Sequence, residues 1–201
     1  MSKTETEKQF DRLVSKIIGP HFKSLGYKKS GNNFRYYDSD GEFGKIVNFQ
    51  KSSYYGRDHI HFTINVGLYL AEFELYHTGK NSGEKFRESI CAVRQRIGSL
   101  MNKNDIWYDL NPETNITQLQ ERLEQNIVRK VIPYLNKIKT REDVITQLLI
   151  EGSDYFIARI KTLFHNGHQE RALNILEQEY RRVSDTGAKW LDDLKKELTE
   201  S

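Results

Sequence analysis

Alternating apolar and polar residues dominate the chain between residues 28 and 70. In the clearest run, from His59 to Leu68, every even position is apolar and every odd position is polar or glycine. Period-two alternation is typical of a strand with one buried face, because successive side chains point to opposite sides of the sheet. Residues 33–37 and 45–52 have a similar β-rich character, and turn-forming residues at 38–41 and 53–58 separate the three runs. We therefore predict a three-stranded antiparallel meander.

The pattern is less regular from Leu70 to Leu110. The apolar phase slips after Leu70, which predicts a bulge or a new strand. Residues 86–100 fit either a helix or a strand, while residues 106–108 have the composition of a short aromatic strand. Of these alternatives we favour a second hairpin.

Helical periodicity marks both ends of the chain. Residues 4–25 carry apolar side chains at steps of three and four, interrupted at Gly19 and Pro20, where we expect a kink or a break. A similar stripe extends from Ile116 to Leu135, and Thr140 with Asp143 predicts a helix cap. Further helices are predicted over residues 154–164, over residues 169–182 and around residue 190, and the pair joined at residues 166–167 resembles a single tetratricopeptide-type hairpin.

These elements predict an α+β fold. An N-terminal helix packs on an antiparallel sheet of about five strands, and a helical C-terminal region follows. We place the sheet domain at residues 1–150, and a helical appendage, made of a hairpin and a terminal helix, at residues 151–201.

Composition narrows the class of protein. The 201 residues include 11 Tyr and 10 Phe, too many aromatic residues for a disordered chain. The net charge of +3 is too small to require nucleic acid or an anionic membrane as partner. A single cysteine, a polar N-terminus and the absence of a long apolar run predict a soluble cytoplasmic protein.

Motifs for catalysis and cofactor binding are missing from the sequence. No nucleophile elbow, phosphate-binding loop or dinucleotide fingerprint is present, and Cys91 fits a small core residue. Glu72 and Glu74 would share a strand face but do not define an acid and a base. His59 and His61 would project from one face of a strand, yet no local motif supplies a third metal ligand. We therefore predict no catalytic residue, no metal site and no cofactor.

The best candidate site is the polar face of the predicted sheet. On this face we expect seven ligand-binding residues, namely Asn48, Gln50, Ser52, His59, His61, Thr63 and Asn65. Uncharged amides and imidazoles donate and accept hydrogen bonds directionally, which suits a recognition surface. A structural amide network would use the same residues, and the sequence leaves both interpretations open.

Three functions are compatible with this face. The first is a binding protein for a protein or small-molecule ligand, one form of which is an immunity-type partner of a toxin. The second is a hydrolase or transferase with a cleft containing His59, His61 and Asn65. The third is a single-stranded nucleic-acid binder, for which basic residues lie among aromatic ones at Arg35, Tyr36, Tyr37, Lys51, Tyr54, Tyr55 and Arg57. We predict no membrane partner and regard nucleic acid as the weaker choice; the sequence does not define an oligomeric state.

Five ordered blocks resemble one family. They occupy residues 22–29, 48–52, 62–67, 91–98 and 105–108, and resemble an uncharacterised bacterial family, domain of unknown function 4304. The resemblance extends over residues 10–146 and departs from the family pattern at Val93, where an aromatic residue is expected, and at Tyr108, where a second tryptophan is expected. It implies a boundary before the C-terminal helices and no particular activity.

Overall fold

A six-stranded antiparallel sheet forms the centre of the protein. The computed structural model describes residues 2–183 and 188–200. Strands β1 to β5 are neighbours in chain order, and β6 also pairs with β4. The strands are β1 (Lys28–Ser30), β2 (Asn33–Tyr37), β3 (Phe43–Lys51), β4 (Ile60–Leu70), β5 (Val93–Arg96) and β6 (Tyr108–Leu110).

The predicted meander is confirmed as β2, β3 and β4. Asp38 stabilises the first turn, since its carboxylate accepts the backbone N–H groups of Asp40 and Phe43. The predicted second hairpin is wrong, because β5 and β6 do not pair with each other. Both pair with the long strand β4, β5 along residues 65–68 and β6 along residues 60–62.

Helices precede and follow the strands in sequence. They are α1 (Glu5–Arg12), α2 (Gly19–Lys23), α3 (Ala71–Thr78), α4 (Ile97–Leu100), α5 (Ile116–Asn126), α6 (Ile132–Asn136), α7 (Arg141–Glu151), α8 (Phe156–His165), α9 (Gln169–Tyr180) and α10 (Lys189–Thr199). Two of them, α3 and α4, lie between strands. π-helical segments at Leu13–Ile18 and Ile127–Val131 join α1 to α2 and α5 to α6. The predicted cap at Thr140 is confirmed, since the Thr140 hydroxyl accepts the Asp143 backbone N–H and the Asp143 carboxylate accepts that of Thr140.

The slip in periodicity after Leu70 marks a helix. The predicted bulge or new strand is wrong, because the chain enters α3 directly from β4. Glu72 and Glu74 therefore lie on a helix, and their surroundings differ. Glu74 is buried and accepts hydrogen bonds from Tyr69 and Ser82, whereas Glu72 pairs with Arg141.

One face of the sheet packs on the main hydrophobic core. Phe62 is fully buried there, with its ring centroid 5.1 Å from that of Phe10 on α1 and 5.3 Å from that of Tyr108 on β6. Ile60, Ile64 and Val66 are also buried, as the alternation predicts. The same core continues into α5, α7 and the C-terminal helices.

The other face of the sheet is only partly covered. Phe86 and Cys91, from the segment between α3 and β5, pack with Ile46 and Tyr69 over one end of it. Gly67 on β4 has no side chain, which leaves room for Cys91. A Cβ atom at this position, as in alanine, would lie 2.6 Å from the Cys91 sulfur. The remainder of this face carries the predicted site.

The C-terminal helices pack on the rest of the protein through α3 and α7. Tyr155, just before α8, stacks on His77 with ring centroids 3.9 Å apart. The predicted appendage at residues 151–201 begins at the last residue of α7, and its residues 184–187 and 201 lie outside the described ranges. Within the described part of the chain, no helix is long and apolar enough to cross a membrane.

Candidate functional site

The candidate site lies on the face of the sheet opposite the main core, beside the end that Phe86 and Cys91 cover, and we call it the polar face. It carries the outward-pointing residues of β3, β4 and β6, namely Asn48, Gln50, His61, Thr63, Asn65 and Asp109. Strand register brings them together, since Asn48 pairs with Asn65, Gln50 with Thr63, and His61 with Asp109. Cross-strand partners have side chains about 4.5–5.5 Å apart at Cβ, so these groups form one continuous surface.

Amide side chains form a hydrogen-bonded ladder at the centre of the polar face. Asn48 Nδ2 donates to Asn33 Oδ1 over 2.8 Å. Asn65 Nδ2 donates to Gln50 Oε1 over 2.7 Å and to Asn48 Oδ1 over 3.3 Å. These contacts fix the amides of three adjacent strands in one orientation.

Two of the predicted ligand-binding residues are buried. Thr63 is fully buried and donates from Oγ1 to the Ile106 carbonyl over 2.7 Å. Asn65 is 4% exposed, and among the described residues its Oδ1 has no hydrogen-bond partner. The part of the polar face open to solvent is therefore Gln50 and Asp109, with the half-buried Asn48 and the two imidazoles.

Ser52 lies at the margin of this surface. Its backbone N–H extends the pairing with β4 by donating to the His61 carbonyl over 2.7 Å. Its hydroxyl accepts the Tyr54 backbone N–H over 3.2 Å, so it organises the turn that follows β3. Ser52 thus shapes the loop carrying the exposed Tyr54 and Tyr55.

His59, His61 and Asp109 meet at one end of the polar face, and we call them the His–Asp cluster. His59 Nε2 and His61 Nδ1 each lie 2.8 Å from Asp109 Oδ1. The three ligand-type atoms all lie within 4.8 Å of one another. The arrangement supplies the third group that the local sequence around the histidine pair lacks.

Aromatic rings enclose the cluster. Trp107 stacks on His61 with a 4.7 Å centroid separation and an interplanar angle of 5°. Tyr55 contacts both imidazoles, at 4.5 Å from His59 and 4.8 Å from His61. The rings are thereby restricted in rotation, while one side of the cluster remains open to solvent.

The charge of Asp109 follows from these contacts. Partial burial raises the pKa of its carboxyl, but the hydrogen bonds from His59 and His61 outweigh burial, and the pKa lies below its ordinary value. Asp109 is therefore ionised at neutral pH and accepts hydrogen bonds from both rings. The cluster therefore combines the anionic Asp109 carboxylate with one imidazole nitrogen from each of His59 and His61.

Sequence reasoning missed four residues of this region, namely Tyr55 as a cluster residue, Arg96, Trp107 and Asp109. The Arg96 guanidinium lies 5.5 Å from the Trp107 ring centroid and forms an ion pair with Asp105. Asp109 is a polar residue between the apolar Tyr108 and Leu110, which are both buried, and this alternation is typical of a strand. Nothing in the local sequence indicated that this strand would pair with β4.

Cys91 is confirmed as a core residue. It is fully buried, and burial raises the pKa of its thiol well above the ordinary value. A thiol that remains protonated is a poor nucleophile, so the location of Cys91 argues against a catalytic role.

The cavities near the polar face are small. A groove of 150 Å³ runs beside His59, between Tyr55, Arg57 and Glu7. A cleft of 270 Å³ lies at the β1–β2 edge, with Lys28, Ser30, Arg35 and Glu84 among its lining residues. Pockets for drug-sized ligands are usually about 300–1,000 Å³, so this face is closer to an open surface than to a ligand pocket.

Comparison with known proteins gives one match. No curated protein and no solved structure shows significant similarity to the chain. The model of a family described as Domain of unknown function (DUF4304) matches residues 18–137, which include all six strands and helices α2 to α6. Since the match covers more than half of the chain, the protein belongs to this family.

Proposed function

We propose that the protein is a cytoplasmic bacterial binding protein that recognises its ligand on the polar face. The observation that carries the proposal is the amide ladder, in which Asn65 holds the exposed Gln50 by a 2.7 Å hydrogen bond to its Oε1. A side chain already fixed in orientation loses little conformational entropy when a ligand binds. Among the described residues, Gln50 Nε2 has no partner, so it is available to an acceptor group on the ligand.

The shape of the surface favours a protein over a small molecule as ligand. The adjoining cavities of 150 and 270 Å³ are too small and open to enclose a drug-sized ligand. Exposed aromatic residues flank the face, with Tyr54 94% and Tyr55 45% exposed. Tyrosine, tryptophan and arginine are enriched among residues that dominate protein–protein binding energy. An immunity-type contact with a toxin is one form of such an interface.

The test is retention of a partner by immobilised full-length protein. Gln50→Ala removes the free donor, and Gln125→Ala is the matched control because Gln125 is an exposed glutamine on α5. We expect wild type and Gln125→Ala to retain the same protein from a cell lysate, and Gln50→Ala to lose it. Equal retention by all three proteins would contradict recognition through Gln50.

The two alternative functions predict other outcomes. A single-stranded nucleic-acid binder would retain an oligonucleotide with affinity that falls steeply as salt rises. A hydrolase or transferase would require the imidazoles of His59 or His61, so its turnover would survive Gln50→Ala and be lost in His61→Ala. The salt dependence of oligonucleotide binding and the two variants together therefore separate the three functions.

A further inference from the structure

We propose that the His–Asp cluster binds a divalent transition-metal ion, with Zn²⁺ as the preferred ion. The ligand atoms are His59 Nε2, His61 Nδ1 and Asp109 Oδ1, which converge within 4.8 Å. Imidazole nitrogen and carboxylate oxygen are both ordinary zinc ligands, and three protein ligands with an open position are typical of reactive zinc sites. The inference goes beyond ligand recognition on the polar face and does not depend on it.

The positions of the three residues on the sheet favour a defined metal site over an accidental grouping of surface side chains. His61 and Asp109 are direct register partners on β4 and β6, and His59 immediately precedes β4. Sites built on strands are more precisely positioned than sites on loops. The Trp107 and Tyr55 rings further limit the rotation of the imidazoles.

Metal binding requires the three ligand atoms to move relative to one another. In a tetrahedral zinc site with bonds of about 2.0–2.2 Å, neighbouring ligand atoms lie about 3.3–3.6 Å apart. The two nitrogens lie 2.8 Å from Asp109 Oδ1, so each of these separations must grow by about 0.5–0.8 Å, while the separation between the two nitrogens, which is at most 4.8 Å, must shorten by up to about 1.3 Å. The ion then replaces the two shared hydrogens, and each neutral imidazole carries its proton on the other ring nitrogen, Nδ1 of His59 and Nε2 of His61.

The open side of the site distinguishes it from a closed structural zinc site. The side chains of His59, His61 and Asp109 are 38%, 21% and 52% exposed. A fourth ligand, either water or a donor atom from a bound molecule, can therefore approach from solvent. A fourth position open to solvent is suitable for a metal ion that binds, or polarises, an oxygen or nitrogen atom of another molecule.

The experiment is calorimetric titration of full-length protein with ZnCl₂. Wild type is expected to bind one Zn²⁺ per chain. Asp109→Asn and His61→Ala are each expected to lower the affinity for Zn²⁺ by about tenfold or more. Loss of a residue that only supports a metal ligand typically lowers metal affinity by about 10–100-fold, and loss of the ligand itself costs more. His59→Ala provides a second ligand variant should His61→Ala fail to fold. Controls are His165→Ala, which removes a histidine outside the cluster, and Asp40→Asn, which neutralises an exposed carboxylate in the β2–β3 turn.

The thermal midpoint of unfolding distinguishes specific Zn²⁺ binding at the His–Asp cluster from non-specific binding elsewhere on the surface. Excess Zn²⁺ is expected to raise the thermal midpoint of wild type and of both controls, because a ligand that binds the native state stabilises it. The midpoint of Asp109→Asn is expected to change little. Absence of binding to wild type, or equal binding to wild type and Asp109→Asn, would overturn the proposal.

Discussion

At the residue scale, Asn65 differs from the other amides of the polar face. It is 4% exposed and donates both of its hydrogen bonds to neighbouring amides, whereas Gln50 is exposed. A buried amide contributes to folding through its partners, while an exposed amide contributes little. The sequence left two interpretations open, a recognition surface and a structural network. The buried Asn65 fits the structural network, and the exposed Gln50 fits the recognition surface.

The first prediction compares these two amides by urea unfolding. Asn65→Ala is expected to lower the free energy of unfolding by about 1–3 kcal/mol, because it leaves Gln50 Oε1 and Asn48 Oδ1 without their donor. Gln50→Ala is expected to cost less, about 1 kcal/mol or below, because the removed side chain is exposed and Asn65 Nδ2 keeps its 3.3 Å hydrogen bond to Asn48 Oδ1. A large loss of stability in both variants would show that Gln50 is structural and defeat the recognition proposal without any ligand.

Lys45 gives a second prediction at this scale. It is 7% exposed, and its Nζ donates to the carbonyls of Ile138 (2.9 Å) and Leu135 (3.4 Å) at the end of α6. Burial, aided by the nearby Lys139 charge, lowers the pKa of Lys45 from 10.5 to about 8. Between these pH values the unfolded chain binds more protons than the folded protein, so this group makes the free energy of unfolding rise with pH.

The measurement is the difference in unfolding free energy between wild type and Lys45→Met across pH. We expect the difference to be flat between about pH 6 and pH 7, where lysine is protonated in both states. It should then rise in favour of wild type from about pH 8 towards pH 10.5. A difference that stays flat or falls over this interval would contradict the lowered pKa.

At the element scale, glycines decide how closely the segment before β5 packs on the sheet. An added Cβ at Gly67 on β4 would lie 2.6 Å from Cys91 Sγ and 2.9 Å from Ile46 Cγ2. The missing side chain leaves room for Cys91, and Gly44 on β3, whose added Cβ would lie 2.7 Å from the Phe86 ring, leaves room for Phe86. The extent of the polar face is therefore set by where β4 carries glycine and where it carries asparagine.

Gly67→Ala tests this packing. The substitution is expected to destabilise the protein by about 1–3 kcal/mol, because overpacking a filled core forces side chains and backbone to shift. Gly56→Ala is the matched control, since nothing lies within 4 Å of its added Cβ, and it should change stability by less than about 0.5 kcal/mol. Equal unfolding midpoints in urea for the two variants would show that the Cys91 segment moves aside freely.

At the scale of the whole molecule, the C-terminal helices share the core of the sheet domain. Asn166, after α8, donates to the Glu72 carboxylate on α3 and accepts from Arg141 at the start of α7. Ile160 and Leu163 of α8 are fully buried in the main core. These contacts link the helical region to the sheet by both polar and apolar interactions.

Truncation after Ser153 tests the predicted division into a sheet domain and an appendage. The shortened chain is expected to fold but to associate or lose solubility, because Phe73 of α3 loses its ring contact with Tyr155 and the adjoining apolar surface is exposed. Size-exclusion chromatography with light scattering measures the association. A shortened protein that is monomeric and as stable as the full chain would show that α8 to α10 contribute nothing to the sheet domain.

The sequence by itself determined the features that depend on neighbouring residues. Alternation from His59 to Leu68 predicted which side chains of β4 face the core, and Thr140 with Asp143 predicted the start of α7. Both signals are local, since strand geometry and helix capping involve residues a few positions apart. The same reasoning placed His61, Asn65 and Gln50 on one face of the sheet.

The tertiary structure decided which distant segments meet. Asp109 reaches His61 across 48 positions of sequence because β6 pairs with β4, and no local pattern specifies that pairing. The covering of Thr63 by the segment around Ile106 likewise follows from chain packing. Strand pairing and burial depend on the free energy of the whole fold, so the His–Asp cluster and the true extent of the polar face were visible only in three dimensions.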